Sequence, residues 1–209
     1  MHPPQTPDSK TPPRGTPRCS GDRGISTPQF RGIEPFGEKH KKLRAAFSCG
    51  SELLDRYLKQ QASQDAAKRA AVPYVLISED DHIAGYYTLS SDHIRADDLP
   101  EGMVKELNLP RYPFIGATLI GRLARDLSFK GQGVGELLLA DALKVALAMS
   151  RKIASAAVIV DAEDEKAHKF YSDFGFIAFP ESKKRLFLPM QTIEELFPEP
   201  DAGKPASTA

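Results

Sequence analysis

An apolar run ending at Ala124, a short polar turn, and three glycines at alternate positions (Gly131, Gly133, Gly135) that open an Ala/Leu-rich helix constrain this chain more than any other stretch. Strand, glycine turn and helix in that order make a phosphate cradle. Glycine lets backbone N–H groups approach an anion closely, and the first helical turn adds unpaired donors and partial positive charge. The stretch therefore points to a phosphorylated cofactor. No Gly-Lys-Ser/Thr closes the turn, which excludes a P-loop, and the spacing is not the G-x-G-x-x-G of a dinucleotide fold. Taken alone, the same glycines also fit a plain turn into a core helix.

The rest of the chain supplies a frame for this turn. A helix begins within Phe47 to Leu58, where Ser48 or Ser51 can cap it, and the polar stretch Lys59 to Arg69 continues it. Tyr74–Ile77 and Ile83–Leu89 read as antiparallel strands joined through Glu79-Asp80-Asp81. Tyr86 and Tyr87 point to opposite faces, one into the core and the other towards a cleft. Asp97 to Asn108 reads as a loop with a helical turn, and Leu109 to Pro113 as an extended connector. Phe114–Ala124 is a strand, Gly135–Met149 the long helix, and Ala154–Val160 is apolar enough for a central strand. Glu163–Phe174 is a short helix and Arg185–Met190 the last strand. The alternation gives an α/β fold with a mixed sheet.

Composition narrows the class. Residues 1–32 are proline-rich and poor in large apolar side chains, and read as a disordered tail; residues 33–197 form the domain, and 198–209 a flexible end. Basic and acidic side chains balance at 28 each, so total charge announces no nucleic acid while leaving room for a local basic patch. Cys19 and Cys49 cannot make a disulfide framework and fit a reduced cytoplasm. Cys49 reads as a small buried residue before a glycine turn rather than a nucleophile. No apolar stretch is long enough to cross a membrane, no signal-type segment opens the chain, and the five histidines form no metal-ligand cluster.

Lys130-x-x-Gly133-x-Gly135 resembles the pyrophosphate-binding motif of the GNAT acetyltransferases, usually Arg/Gln-x-x-Gly-x-Gly/Ala; Lys130 departs from it but keeps a positive charge. Downstream, Val160-Asp161-Ala162-Glu163-Asp164 followed by Ala167, Phe170-Tyr171 and Gly175-Phe176 resembles a second motif of that family, with Asp164 where asparagine is usual. The resemblance implies the GNAT fold, in which the strands ending near Ala124 and Val160 splay apart and acetyl-CoA sits in the gap. Its pantetheine would pair with the backbone at Leu123, Ala124 and Arg125. Its pyrophosphate would rest on the amides of Lys130, Gly131, Gln132, Gly133, Val134, Gly135 and Glu136. Tyr171 would be the general acid for the leaving thiolate, a phenol that stays protonated at neutral pH. The alternative for Tyr171 is a core aromatic beside Phe170, Phe174 and Phe176. His168 is a further acid/base possibility, set against an ordinary solvated histidine.

A narrower resemblance spans most of the domain. Phe47-x-Cys49-Gly50 with Leu54-Asp55, Gly85-Tyr86-Tyr87-Thr88-Leu89, Leu109-Pro110-Arg111-Tyr112-Pro113, Gly121-Arg122-Leu123-Ala124 and the Phe170–Phe176 segment are similar to the GNAT toxins of bacterial toxin–antitoxin systems. Those usually carry Val-Asp after Leu-Ala; here Arg125 precedes Asp126. This likeness implies acetylation of the α-amino group of aminoacyl-tRNA, which blocks elongation. It also implies a ribbon-helix-helix antitoxin as partner, and a homodimer. Such a substrate needs cationic contacts, for which Arg111, Arg122, Arg125, Lys68 and Arg69 are candidates. The rivals are acetylation of a protein, polyamine or small-molecule amine, with an acidic cleft favouring a polyamine and a basic one tRNA, or non-catalytic binding of an acyl-CoA.

Overall fold

The computed structural model describes residues 30–107 and 112–198; the tails beyond them, and Arg111 in the connector, lie outside the described residues. Seven strands form one mixed sheet in the order β1 (Phe30–Pro35), β2 (Val72–Ser78), β3 (Ile83–Arg95), β4 (Phe114–Arg125), β5 (Ala157–Asp161), β7 (Ser182–Pro189), β6 (Ile177–Phe179). Every neighbouring pair is antiparallel except β4 and β5. The glycine turn and helix α4 (Val134–Ser150) provide the crossover that a parallel pair needs. The mixed α/β sheet expected from the alternation is the one observed.

Two apolar layers cover the sheet. On one face α4 lays Val134, Leu138, Leu139, Ala142, Leu143, Ala146 and Leu147 on Leu76, Tyr87, Leu89, Ile120, Val158 and Val160. Gly85 in β3 permits this contact: a Cβ there would lie 2.6 Å from Leu138 Cδ1 and 2.9 Å from the Ala124 carbonyl oxygen. On the other face sit α1 (Glu52–Arg56), a π-helical turn (Tyr57–Gln61) and α2 (Ala62–Lys68), where the sequence pattern reads as one uninterrupted helix. The wider turn lets consecutive residues, Tyr57 and Leu58, both face Tyr86, Val75 and Ile77. Tyr86 and Tyr87 do lie on opposite faces, but neither lines a cleft. Both are fully buried, one donating to the Leu54 carbonyl oxygen at 2.9 Å and the other to Asp141 Oδ2 at 2.6 Å.

Several element bounds differ from the sequence reading. β1 begins at Phe30, inside the stretch read as tail, and Phe30 packs its ring 5.9 Å from that of Phe129. A 3-10 turn (Ala96–Asp98) and α3 (Met103–Glu106) occupy the expected loop, and α6 (Met190–Leu196) follows β7 directly. Ser51 is the N-cap of α1, but neither serine hydroxyl caps the helix. Asp55 instead reaches back to the Cys49 N–H at 2.8 Å and the Ser48 hydroxyl at 3.1 Å.

Two features of β4 set up the site. The β4–β5 ladder ends at Ile120 opposite Val160, while β4 continues to Arg125 with β3 on its other edge, so the β5-side edge of Gly121 to Arg125 is released. In addition, Thr88 pairs with Arg122 and Leu89 with Ile120, which leaves Gly121 as the extra residue of a β-bulge. The bulge shifts the alternation by one. Ile120 and Leu123 both face the α4 layer, whereas Ala124 and Arg122 face the α1 layer.

Candidate active site

At the released edge of β4, a cleft of about 470 Å³ opens between β4, the glycine turn and α5 (Glu165–Asp173). Leu123, Ala124, Arg125, Gly131, Gly133, Val134, Gly135, Glu136 and Tyr171 line it together. Gly131 and Gly133 hold φ of +78° and +72°, backbone that a side chain would strain, and Gly133 is the N-cap of α4. The first N–H to donate within the helix is that of Leu137, to the Gly133 carbonyl at 3.0 Å. The N–H groups of Val134, Gly135 and Glu136 therefore have no partner within the helix and converge on the cleft, an anion cradle at the positive end of the helix dipole.

Two residues expected in the cradle are placed differently. The Lys130 N–H is spent on the Leu127 carbonyl at 3.2 Å, closing a 3-10 turn (Leu127–Phe129), so its amide cannot serve an anion. Gln132 does not line the cleft, and its side-chain amide donates to the Ser128 carbonyl at 3.4 Å. The Arg125 guanidinium folds onto the Asp126 carbonyl at 2.9 Å and remains at the cleft wall. Lys68 and Arg69 end α2 in solvent and line neither cavity of the site. His168 is likewise outside both cavities, with Nδ1 3.4 Å from the Ser172 hydroxyl.

Asp126 holds the turn to the rest of the domain. Its carboxylate, 5% exposed, accepts from the Ser48 N–H at 2.8 Å and from the Ser128 N–H at 2.9 Å and hydroxyl at 2.6 Å. The Ser48 carbonyl in turn accepts from Leu127. Burial alone would raise the Asp126 pKa; the Ser128 and Ser48 hydrogen bonds and the nearby His82 outweigh it and hold the carboxyl below its ordinary value. A depressed folded-state pKa stabilises the fold above the ordinary carboxylate range and loses that contribution as pH falls through the folded value. Asp126→Asn is expected to cost about 2–3 kcal/mol at pH 7, with the gap in thermal midpoint between variant and wild type closing below about pH 4. A pH series of melting curves checks it; a gap that persists undiminished at pH 2–3 contradicts it.

Across the cleft, Asp164 is the N-cap of α5 and accepts from the Ala167 N–H at 2.7 Å. An asparagine would cap equally well, so the departure at this position changes little. The cap aims α5 so that Phe170 and Tyr171 face β4. Tyr171 is 7% exposed, with Phe170 and Phe176 rings at 5.3 and 5.5 Å. Among the described residues its hydroxyl has no hydrogen-bond partner. Burial, then the charges of Glu163 and Asp161, push its pKa up to about 12. Tyr171 is thus both core aromatic and cleft residue, and it keeps its proton at any physiological pH.

A second cavity of about 180 Å³ adjoins the first and shares Leu54, Leu123, Asp164, Ala167 and Tyr171 with it. It occupies the split itself, with Arg122 on the β4 side and Asp161 and Glu163 on the β5 side. Arg122 stacks its guanidinium 3.7 Å from the centroid of the Tyr57 ring. The lining is therefore of both signs, neither the acidic nor the basic cleft that simple alternatives would have. Cys49, Ser51, Leu54, Lys166 and Phe170 also line the larger cleft, a place the sequence reading did not assign them. Burial raises the Cys49 thiol to about 11, which leaves it a poor nucleophile at neutral pH. Among the described residues there is no cluster able to hold a metal, and no helix long and apolar enough to cross a membrane.

Comparison with known proteins matches residues 40–176 to the acetyltransferase (GNAT) family. A probable toxin TacT of Sinorhizobium fredii is 32% identical over 172 residues, 78% of this chain and 93% of that protein. The structure of AtaT complexed with acetyl-methionyl-tRNAfMet superposes with a TM-score of 0.72 at 32% identity, covering 79% of this chain and 98% of that one. A tyrosine-to-phenylalanine mutant of AtaT, bound to the C-terminus of the antitoxin AtaR and acetyl-CoA, superposes at 0.65 with 30% identity, covering 79% and 97%.

Proposed function

This chain belongs to the acetyltransferase (GNAT) family, and on that premise we propose that it is a toxin that acetylates the α-amino group of aminoacyl-tRNA. The observation that carries the reading is the split of β4 from β5 beyond Ile120 and Val160, with an anion cradle on one side and, lining the gap, a mostly buried tyrosine whose hydroxyl has no hydrogen-bond partner among the described residues. Acetyl-CoA supplies an acyl group activated as a thioester. The cradle fits its pyrophosphate, because Val134, Gly135 and Glu136 offer free N–H groups at a helix N-terminus. The unpaired edge of Leu123 to Arg125 offers strand-like hydrogen bonds to an extended amide chain. Tyr171 holds a proton beside the boundary of the two cavities, where a leaving thiolate needs one.

The tRNA substrate is supported by the likeness to AtaT complexed with acetyl-methionyl-tRNAfMet and to a probable TacT toxin. It is also supported by Arg122, a cation fixed at the split. An antitoxin is the expected partner, in line with AtaT bound to AtaR. With a substrate found in the cytoplasm, the protein would act there. The carboxylates at the β5 end give a polyamine acceptor some purchase, but Arg122 opposes it.

The test is transfer of radiolabelled acetyl from acetyl-CoA to a bulk charged tRNA pool, with uncharged tRNA as control. Label confined to charged tRNA is the expected result; absence of label with acetyl-CoA still bound removes tRNA as the substrate.

A further inference from the structure

The smaller cavity carries an inference that rests on the acetyltransferase reading and extends it to the acceptor. Its two walls are chemically opposite. On the β4 side Arg122 lies flat on Tyr57 and has no carboxylate partner among the described residues. On the β5 side three carboxylates crowd the end of the strand, one committed to a cap and one at the edge of an ion pair whose arginine is held more closely by Asp92. Asp164 caps α5 through the Ala167 N–H, and Asp161 lies 4.0 Å from Arg185 Nε. Glu163 has neither an ion pair nor a hydrogen bond among the described residues. Tyr171 lines the same cavity, in a side chain more than nine-tenths buried whose hydroxyl has no hydrogen-bond partner among the described residues. Glu163, Asp161 and Tyr171 line this one cavity, and both carboxylates act on the phenol electrostatically.

We propose that this cavity is the acceptor subsite, in which Glu163 receives the acceptor's ammonium group and takes its first proton while Arg122 receives an anionic group a few bonds away on the same acceptor. A cation and an anion on one small fragment describe the end of a charged tRNA, where an α-amino group and the terminal phosphodiester flank one ribose. They do not describe a polyamine, which is cationic throughout. The ammonium gives one proton to the Glu163 carboxylate, and the freed nitrogen lone pair forms the N–C bond to the thioester carbonyl. The C–S bond breaks with its electron pair on sulfur, and the sulfur takes the Tyr171 proton. The remaining extra proton on the new amide nitrogen returns to the Tyr171 oxygen, and Glu163 releases its proton to water. Atoms and charge balance, with one proton released per amide formed.

Glu163 is exposed at the start of the β5–α5 connection, so Glu163→Gln should fold. The experiment compares wild type, Glu163→Gln and Glu163→Asp on a charged tRNA pool and on spermidine, with acetyl-CoA affinity measured separately. The expected result is a kcat/KM on charged tRNA at least ~10-fold lower in Glu163→Gln and partly recovered in Glu163→Asp, with unchanged acetyl-CoA binding. Charged tRNA acetylated equally well by wild type and Glu163→Gln overturns the subsite and leaves the tRNA reading standing. If wild type acetylates spermidine and not charged tRNA, both the tRNA reading and the two-signed subsite fall. If neither acceptor is acetylated, both fall as well.

Discussion

A Tyr171→Phe variant is expected to bind acetyl-CoA within about twofold of wild type and to lose about 10²–10⁴-fold in kcat. The asymmetry follows from what the hydroxyl touches. The ring is held by Phe170 and Phe176, and phenylalanine keeps those contacts. The hydroxyl itself has no partner among the described residues, so deleting it orphans nothing and should leave the melting temperature in place. What is lost is a proton. With the phenol pushed up to about 12, first by burial and then by Glu163 and Asp161, the wild type remains in its donor form well beyond neutrality. An alkaline fall in rate between pH 7 and 9 would therefore need another source. Single-turnover kinetics with saturating acetyl-CoA separate the chemical step from binding; an unchanged rate constant would take Tyr171 out of the reaction.

Gly135→Glu should weaken acetyl-CoA binding by at least ~100-fold, equivalent to about 2.7 kcal/mol, by setting a carboxylate where the pyrophosphate must lie. This glycine isolates charge from strain. Gly131 and Gly133 hold positive φ, so substitution there would disturb the turn itself. Gly135 lies within the helix, and an added Cβ would meet Phe170 at 3.7 Å, an ordinary contact. The variant should fold, which circular dichroism checks, and fail in calorimetric titration with acetyl-CoA. Binding retained at wild-type affinity would displace the cofactor from the cradle.

Much of the frame was readable because its signals are local. The glycine turn, the apolar runs of β4, β5 and α4, and the Phe170–Phe176 segment each announce themselves within a dozen residues. They suffice for the mixed sheet and for the side chains that meet at the cleft. What escaped reading depends on distant partners. Asp126 looks like an ordinary polar residue after a strand until Ser48, remote in the chain, closes on it. The Lys130 amide looks free until the 3-10 turn uses it. Tyr87 reads as a possible cleft residue because its partner, Asp141, belongs to a helix with an otherwise apolar face. Glu163 stands out only when Asp164 is seen to cap α5 and Asp161 to lie beside Arg185. The β1 strand is masked by flanking prolines and has no clean alternation of its own.

The extra residue at Gly121 makes β4 a strand with two phases, and this has a consequence for how such chains diverge. Substitutions along β4 alter one side chain at a time, but an insertion or deletion can alter parity. Removing Gly121 itself would restore regular pairing with β3 and leave Arg122 and Ala124 on the α1 side and Leu123 on the α4 side. Removing Leu123, just beyond the bulge, would instead carry Ala124 to the α4 side although its residue type was kept. An alignment gap at Gly121 therefore describes a protein with the same walls, and a gap two positions later one whose wall has changed.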